Sequence, residues 1–134
     1  MRIGFIGLGN VGGKLANSLL RNKFDLTVRD LKENLTKSFA NNGAKTADSA
    51  KELAERVDLI ITCLPSPKIC SEVMEAKDGV IEGLSKNKVW LEMSTTDESE
   101  VKRIGKLVTA KGTTPLDGPV SGGCHRAATG NIAI

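Results

Sequence analysis

The chain has 134 residues, of which 40% are hydrophobic, 26% are charged and only 3% are aromatic, and its formal net charge is +3. This length and balance are typical of one globular domain that buries its own core. Because the basic residues are scattered and aromatic side chains are scarce, the composition gives little support to nucleic-acid binding. No apolar run approaches the ~20 residues of a membrane span, and no signal-peptide pattern is present, so we expect no membrane partner.

Hydrophobic periodicity predicts alternating strands and helices in the first half of the chain. Short apolar or alternating runs predict strands over 2–7, 24–30, 44–46 and 57–65. Apolar residues that recur every three or four positions predict helices over 10–22, about 31–41 and 48–55. This alternation is typical of parallel strands joined by helical crossovers.

The second half of the chain continues the same alternation. Helical segments are predicted over 67–75 and near 79–85, strands over 88–94 and 114–120, and a longer helix begins near Thr96–Asp97. Glu100 is placed to close a capping box on Asp97. The last predicted strand ends in the loop sequence SGGCH. The whole pattern predicts an α/β fold with a mainly parallel sheet and helices on both faces.

The cysteines and the histidine exclude two kinds of site. Cys63, Cys70 and Cys124 are odd in number and widely spaced, and His125 is the single histidine. Neither a disulfide framework nor a zinc site fits this pattern, so we expect no metal. Free cysteines that serve as small core residues suit a reducing compartment, and we predict a cytoplasmic location.

A glycine-rich stretch, GFIGLGNVGGKLANSLL, follows the first predicted strand. Gly7, Gly9 and Gly12 spell G-x-G-x-x-G between that strand and a helix, inside a strand–helix–strand unit over 2–30. In this motif the first glycine permits a tight turn, the second lets a pyrophosphate approach the backbone, and the third lets helix and strand pack closely. This context favours a Rossmann-type, doubly wound domain that binds a dinucleotide over a plain glycine-rich turn, and we predict one such domain over 1–134.

The identity of the dinucleotide depends on two adjacent residues. Asp30 closes the second predicted strand, eighteen residues after Gly12. A carboxylate at this position accepts hydrogen bonds from the adenosine ribose diol and repels a 2′-phosphate, whereas an arginine such as Arg29 can pair with that phosphate. Alternatively, Asp30 caps the next helix. Because Asp30 holds the expected position, we predict NAD as the cofactor, with NADP as the alternative.

Three further stretches of the sequence, besides the glycine-rich one, resemble known motifs. They are CLP at 63–65, EMSTTDESEVKRI at 92–104 and DGPVSGG at 117–123. With the glycine-rich stretch, they resemble the motifs of the β-hydroxyacid dehydrogenase family, and most closely its 3-hydroxyisobutyrate branch. The family motifs are a glycine loop with methionine where Val11 stands, then MLP, DMSTISP and DAPVSGG. The four stretches occur in the family's order and span nearly the whole chain.

The resemblance implies individual site residues. It implies cofactor contacts at Gly7, Leu8, Gly9, Asn10, Val11, Gly12, Arg29, Asp30, Leu64, Pro65 and Thr96. It implies that Ser121, Gly122 and Gly123 hold the carboxylate of the substrate, where local sequence alone also allows a tight turn. For Thr96, a helix N-cap is an equally good interpretation. The family assigns no catalysis to His125.

The resemblance also implies an activity. The family oxidises short β-hydroxyacids with NAD, here 3-hydroxyisobutyrate to methylmalonate semialdehyde, and the full-length enzyme is expected to be a homo-oligomer. The family's acid/base lysine belongs to a helical C-terminal domain and has no match up to Ile134. We therefore expect no catalytic residue in this chain, and no activity of the chain alone. Two alternatives remain: a glyoxylate or succinic-semialdehyde reductase of the same family, and a non-catalytic dinucleotide-binding module.

Overall fold

The computed structural model describes residues 1–95 and 97–134. Within them a six-stranded, wholly parallel sheet has the order β3-β2-β1-β4-β5-β6. The strands are β1 (Arg2–Ile6), β2 (Asp25–Arg29), β3 (Lys45–Thr46), β4 (Leu59–Thr62), β5 (Val89–Glu92) and β6 (Thr114–Asp117). This order is that of a Rossmann fold, with the reversal between β1 and β4. The predicted fold class is confirmed.

Helices cover both faces of the sheet, as predicted. They are α1 (Gly12–Arg21), α2 (Glu33–Asn41), α3 (Ala50–Arg56), α4 (Pro67–Glu75), α5 (Val80–Gly83), α6 (Glu98–Ala110) and α7 (Gly123–Thr129). The buried residues of α1 and α7 share one core with Ile3 and Phe5 of β1, while those of α3 to α6 share the other with Ile6. Strands buried on both faces in this way appear in the sequence as continuous apolar runs. None of the described helices has the length and apolar character needed to cross a bilayer.

The strands are shorter than their apolar runs, and one helix was not predicted. The predicted strands over 57–65 and 114–120 end at Thr62 and Asp117, where the chain leaves the sheet. Helix α7 lies where the sequence indicated only a loop after the last strand. The positive φ angles of Gly122 and Gly123 fit a turn, but Gly122 is also the N-cap of α7 and Gly123 its first residue. A glycine in the left-handed conformation, Gly130, ends it and is the signal that could have revealed it.

The start of α6 confirms one half of the predicted capping box and corrects the other. The Asp97 carboxylate accepts hydrogen bonds from the amides of Ser99, at 2.9 Å, and Glu100, at 3.1 Å, so Asp97 is the N-cap. The Glu100 carboxylate instead accepts hydrogen bonds from Ser71 and Arg103. The charged guanidinium of Arg103 donates to both oxygens of Glu100, whereas the neutral amide of Asp97 offers a single N–H. Glu100 therefore joins α6 to α4.

Acid should weaken this junction between α4 and α6. Arg103 also holds Glu75 through two bonds of 2.8 and 2.5 Å, and its hydrogen bonds lower the pKa of Glu75 and bring that of Glu100 to about 2. Both carboxyls bind protons more weakly in the folded than in the unfolded state. Their contribution to stability is therefore present above the unfolded value of 4.5 and is lost as the pH falls towards about 2.

The expected result is a stability profile that falls over this acid range and that Arg103→Leu makes shallower. Urea unfolding midpoints measured at several pH values test it. Lys106→Leu is the matched control, because Lys106 is an exposed cation on the same helix. Equal slopes for wild type and Arg103→Leu would contradict the expectation.

Candidate functional site

The glycine turn after β1 is built by two close backbone approaches. Gly7 has a φ of +98°, and a Cβ on it would collide with the carbonyl oxygen of Cys63. A Cβ on Gly12 would collide with the carbonyl oxygen of Gly7. Gly9 is different, because no atom lies within 4 Å of the position that its Cβ would take. The geometry thus matches the tight turn and close packing predicted for Gly7 and Gly12, and it leaves open space above Gly9.

The first turn of α1 presents backbone donors to this open space. Gly13 donates to the carbonyl of Gly9 at 2.8 Å, and Leu15 donates to that of Val11 at 3.1 Å. Among residues 1–95 and 97–134, the amides of 9–12 have no hydrogen-bond partner, and Val11 makes no side-chain cap. Unpaired amides and the positive end of the helix dipole together form an anion site. The arrangement suits a phosphate group.

Asp30 links the end of β2 to the glycine turn. One oxygen of its carboxylate accepts the amide N–H of Leu8 at 2.7 Å, and the other accepts that of Lys32 at 2.8 Å. Lys32 is itself the N-cap of α2 and has no side-chain cap bond. Asp30 therefore does not cap α2. The side chain of Leu8 is buried in the core, so its amide is what it contributes to the turn.

Arg29 is engaged by backbone carbonyls beyond β3. Its guanidinium donates to the carbonyl of Asp48 at 2.7 Å and to that of Ala47 at 3.4 Å. These bonds hold the guanidinium against the loop that precedes α3. Arg29 still forms part of the cleft wall beside Asp30.

A cleft of about 1070 Å³ runs along the carboxyl ends of the strands, where ligands bind in parallel α/β sheets. Most predicted site residues line it: Gly7, Gly9, Asn10, Val11, Gly12, Arg29, Asp30, Leu64, Pro65 and Gly123. Leu8, Ser121 and Gly122 do not line it. Thr96 lies outside the described residues, while its neighbour Thr95 belongs to the lining.

Several apolar residues of the cleft wall were missed by sequence reasoning. They are Leu31, Leu35, Val120 and Ile132. Leu31 is 84% exposed, and it immediately follows Asp30. Its position at the end of a strand, next to a predicted ligand residue, is the signal that could have identified it.

The SGG stretch lies beside the cleft and is tied to the end of the chain. The amide of Ser121 donates to the carbonyl of Ala133 at 2.9 Å, and the amide of Ala133 donates back at 3.0 Å. Gly122 and Gly123 both have positive φ and are exposed. Ser121 therefore has its hydroxyl, but not its amide, available to a ligand.

Cys63 brings a thiol to the cleft wall. Burial, followed by the influence of Glu92, raises the pKa of Cys63 to about 11, so the thiol is neutral near pH 7 and a poor nucleophile. Cys63, Cys70 and Cys124 are all free. Within the described parts of the chain, no three His, Cys, Asp or Glu side chains are grouped as metal ligands are.

Comparison with known proteins agrees with this geometry. The family model of the NAD binding domain of 6-phosphogluconate dehydrogenase matches residues 2–134. The chain belongs to this family of NAD-binding domains. The motif resemblance to β-hydroxyacid dehydrogenases is confirmed by relatives along the whole chain.

Two curated relatives and one solved structure indicate the range of the family. This NAD-binding domain is 37% identical over 132 residues to the mitochondrial 3-hydroxyisobutyrate dehydrogenase of Mus musculus, covering 98% of the chain and 39% of that protein. It is 32% identical over 134 residues to the 2-(hydroxymethyl)glutarate dehydrogenase of Eubacterium barkeri, covering 100% of the chain and 44% of that protein. A crystal structure of 3-hydroxyisobutyrate dehydrogenase from Salmonella typhimurium matches with a TM-score of 0.90 at 29% identity, covering 98% of this chain and 46% of that one. The domain thus spans less than half the length of these relatives.

Proposed function

We propose that this domain is the cofactor-binding part of an NAD-dependent dehydrogenase that oxidises short β-hydroxyacids, with 3-hydroxyisobutyrate as the first candidate. The observation that carries the proposal is the open anion site at Gly9 and the first turn of α1, with the Asp30 carboxylate beside it at the end of β2. The names of the two curated relatives support the substrate class, because each is a dehydrogenase of a hydroxyacid.

The positions of these groups suggest how the cofactor lies. Asp30 would hold the adenosine ribose, and the amides of 9–12 would hold the pyrophosphate. The other half of the dinucleotide then extends past β1 towards the ends of β4 and β5, where Leu64, Pro65 and Ser94 line the cleft. When bound there, the nicotinamide ring supplies the hydride acceptor and donor.

The remaining cleft residues would orient the substrate. Ser121, Gly122 and Gly123 are proposed to hold its carboxylate, and their exposure beside the cleft supports this role. Val120 and Ile132 give this part of the wall an apolar surface, which would limit the access of water to a bound substrate. A cytoplasmic location and a homo-oligomeric state remain parts of the proposal; the Mus musculus relative is mitochondrial.

The state of Asp30 and Arg29 supports NAD over NADP. A 2′-phosphate on the adenosine ribose would lie next to the carboxylate of Asp30, which repels it. The guanidinium of Arg29, which could offset that repulsion, is already bonded to the carbonyls of Ala47 and Asp48. Recruiting it would break these bonds.

We expect titration calorimetry to show NAD(H) binding in the micromolar-to-millimolar range and weaker NADP(H) binding. Asp30→Ala should weaken NAD binding by about 1–3 kcal/mol, the range for losing a charged hydrogen-bond partner. Asp25→Ala is the matched control, because it removes the same charge from the start of the same strand, where Asp25 pairs with Lys45 at 2.7 Å. Equal or tighter NADP binding by the wild type would refute the preference.

Two other functions remain as alternatives to this proposal. A glyoxylate or succinic-semialdehyde reductase of the same family would be indicated by preferred NADP(H) binding. A non-catalytic dinucleotide-binding module would be indicated by NAD(H) binding that no hydroxyacid influences. The SGG stretch beside the cleft favours an enzyme over such a module, because a module has no use for a carboxylate site.

A further inference from the structure

A buried carboxylate lies behind the cleft, and the proposed function leaves it without a role. Glu92 ends β5, its side chain has no exposed surface, and it does not line the cleft. One of its oxygens accepts hydrogen bonds from the hydroxyl of Thr62 at 2.8 Å and the thiol of Cys70 at 3.0 Å. The other accepts the amide of Ser94 at 2.7 Å.

These neutral donors are what hold Glu92 in place. In the ranges 1–95 and 97–134 it forms no ion pair. Burying a carboxylate is costly unless hydrogen bonds satisfy it. Trp90 sets the direction of the bond between Thr62 and Glu92. The hydroxyl oxygen of Thr62 accepts the indole N–H of Trp90 at 2.9 Å, and so its own hydrogen points towards Glu92.

The network reaches the cleft at Ser94 and, through it, at Leu64. Ser94, whose amide is held by Glu92, accepts the amide N–H of Leu64 on its own hydroxyl oxygen at 2.7 Å. Ser94 and Leu64 both line the cleft, and they follow different strands. Glu92 thereby fixes two loops, one after β4 and one after β5, without touching the cleft itself.

We propose that Glu92 is a positioning residue for the nicotinamide half of the cofactor site. The proposal rests on the proposed function, because that function places the nicotinamide at the ends of β4 and β5. The adenosine half is held separately: the carboxylate of Asp30 bonds to Leu8 and Lys32, on the opposite side of β1 from the network. A change at Glu92 should therefore affect one half of the cofactor and spare the other.

Two ligands separate the halves of the site. NADH has the adenosine, the pyrophosphate and the nicotinamide, and so it occupies both halves. ADP-ribose has the adenosine and the pyrophosphate without the nicotinamide. Glu92→Met keeps the side-chain volume and removes both acceptor oxygens. We expect it to weaken NADH binding to the full chain by about tenfold, the effect of roughly one net hydrogen bond in the cleft, and to leave ADP-ribose binding within about twofold of wild type.

The conservative variant should rescue the effect. Glu92→Gln keeps one oxygen for the amide of Ser94, and its new N–H₂ can donate to Thr62 and Cys70 once their hydrogens rotate. NADH affinity within about threefold of wild type is expected. Unchanged NADH binding by Glu92→Met, or an equal loss of both ligands, would overturn the positioning role.

A second variant covers the case in which Glu92→Met does not fold. Ser94→Ala leaves Glu92 intact and removes the acceptor of the Leu64 amide, so the same loss for NADH and not for ADP-ribose is expected. If the wild-type chain binds neither ligand, the proposed function is refuted. Amide hydrogen exchange then still tests the network. The amide of Leu64 should exchange faster than wild type in Ser94→Ala, and at the wild-type rate in Glu92→Gln. Unchanged exchange in Ser94→Ala would overturn the inference.

Discussion

Gly9→Val is expected to abolish NAD(H) binding while leaving the unfolding free energy of the domain nearly unchanged. The fold should tolerate the side chain, because the backbone of Gly9 is not in the left-handed region and no atom lies within 4 Å of its Cβ position. The binding site should not tolerate it, because the isopropyl group would fill the space in which the pyrophosphate meets the amides of the first turn of α1.

Gly12→Ala, in the same turn, is the comparison variant, because we expect it to lower the stability of the domain. Its Cβ would collide with the carbonyl oxygen of Gly7, so we expect a loss of about 1–3 kcal/mol of stability from overpacking. NADH affinity is measured by calorimetric titration and stability by urea unfolding, for both variants and the wild type. Retained binding by Gly9→Val would show that the turn does not approach the phosphates. A large loss of stability in Gly9→Val would show that the open space above Gly9 is not open in solution.

The 134-residue chain alone is expected to show no measurable dehydrogenase turnover even when NAD is bound. Hydride transfer needs the reacting atoms about 3–3.5 Å apart and aligned, and a positioned acid/base typically contributes 10²–10⁴-fold in rate. Cys63 lines the cleft directly after β4, and its raised pKa makes it a poor proton acceptor near pH 7. Glu72, Lys77 and Asp78 line the cleft further along the chain, at and beyond α4. His125 is exposed on α7 and does not line the cleft.

The assay for this second prediction is NAD reduction with 3-hydroxyisobutyrate and related hydroxyacids at high protein concentration. Calorimetric binding of NAD by the same sample is the control that the site is intact. Robust turnover would mean that a residue within 1–134 carries the proton. His125→Ala would then be the first variant to assay, because His125 is the only histidine of the chain.

The sequence predicted those parts of the domain that depend on local chemistry. Gly12 packs against the backbone of Gly7, only a few residues away, and so the spacing of these two glycines is diagnostic. The sheet order could be expected because alternating strands and helices allow few right-handed arrangements. The alternating pattern of β2 is also local, and it placed Asp30 correctly at the end of that strand.

The parts that escaped prediction depend on contacts between distant residues. The bond of Asp30 to Leu8 spans 22 residues, and that of Glu92 to Thr62 spans 30. Neither pairing leaves a periodic trace in the sequence. Glu100 is a further example of a long-range contact that the sequence did not reveal. The local sequence predicted a capping box, but the packing of α6 on α4 brings Ser71 to the Glu100 carboxylate, which also accepts from Arg103.

The position of Trp90 gives the domain an intrinsic optical probe. It is the only tryptophan of the chain, it is fully buried, and its indole N–H is bonded to Thr62. Indole fluorescence shifts to longer wavelength when water reaches the ring, so its emission colour reports the folded state of the whole domain. The emission of a buried indole overlaps the absorption of reduced nicotinamide and not that of oxidised nicotinamide. If a nicotinamide cofactor binds in the cleft, energy transfer from Trp90 would therefore report its redox state without an attached dye.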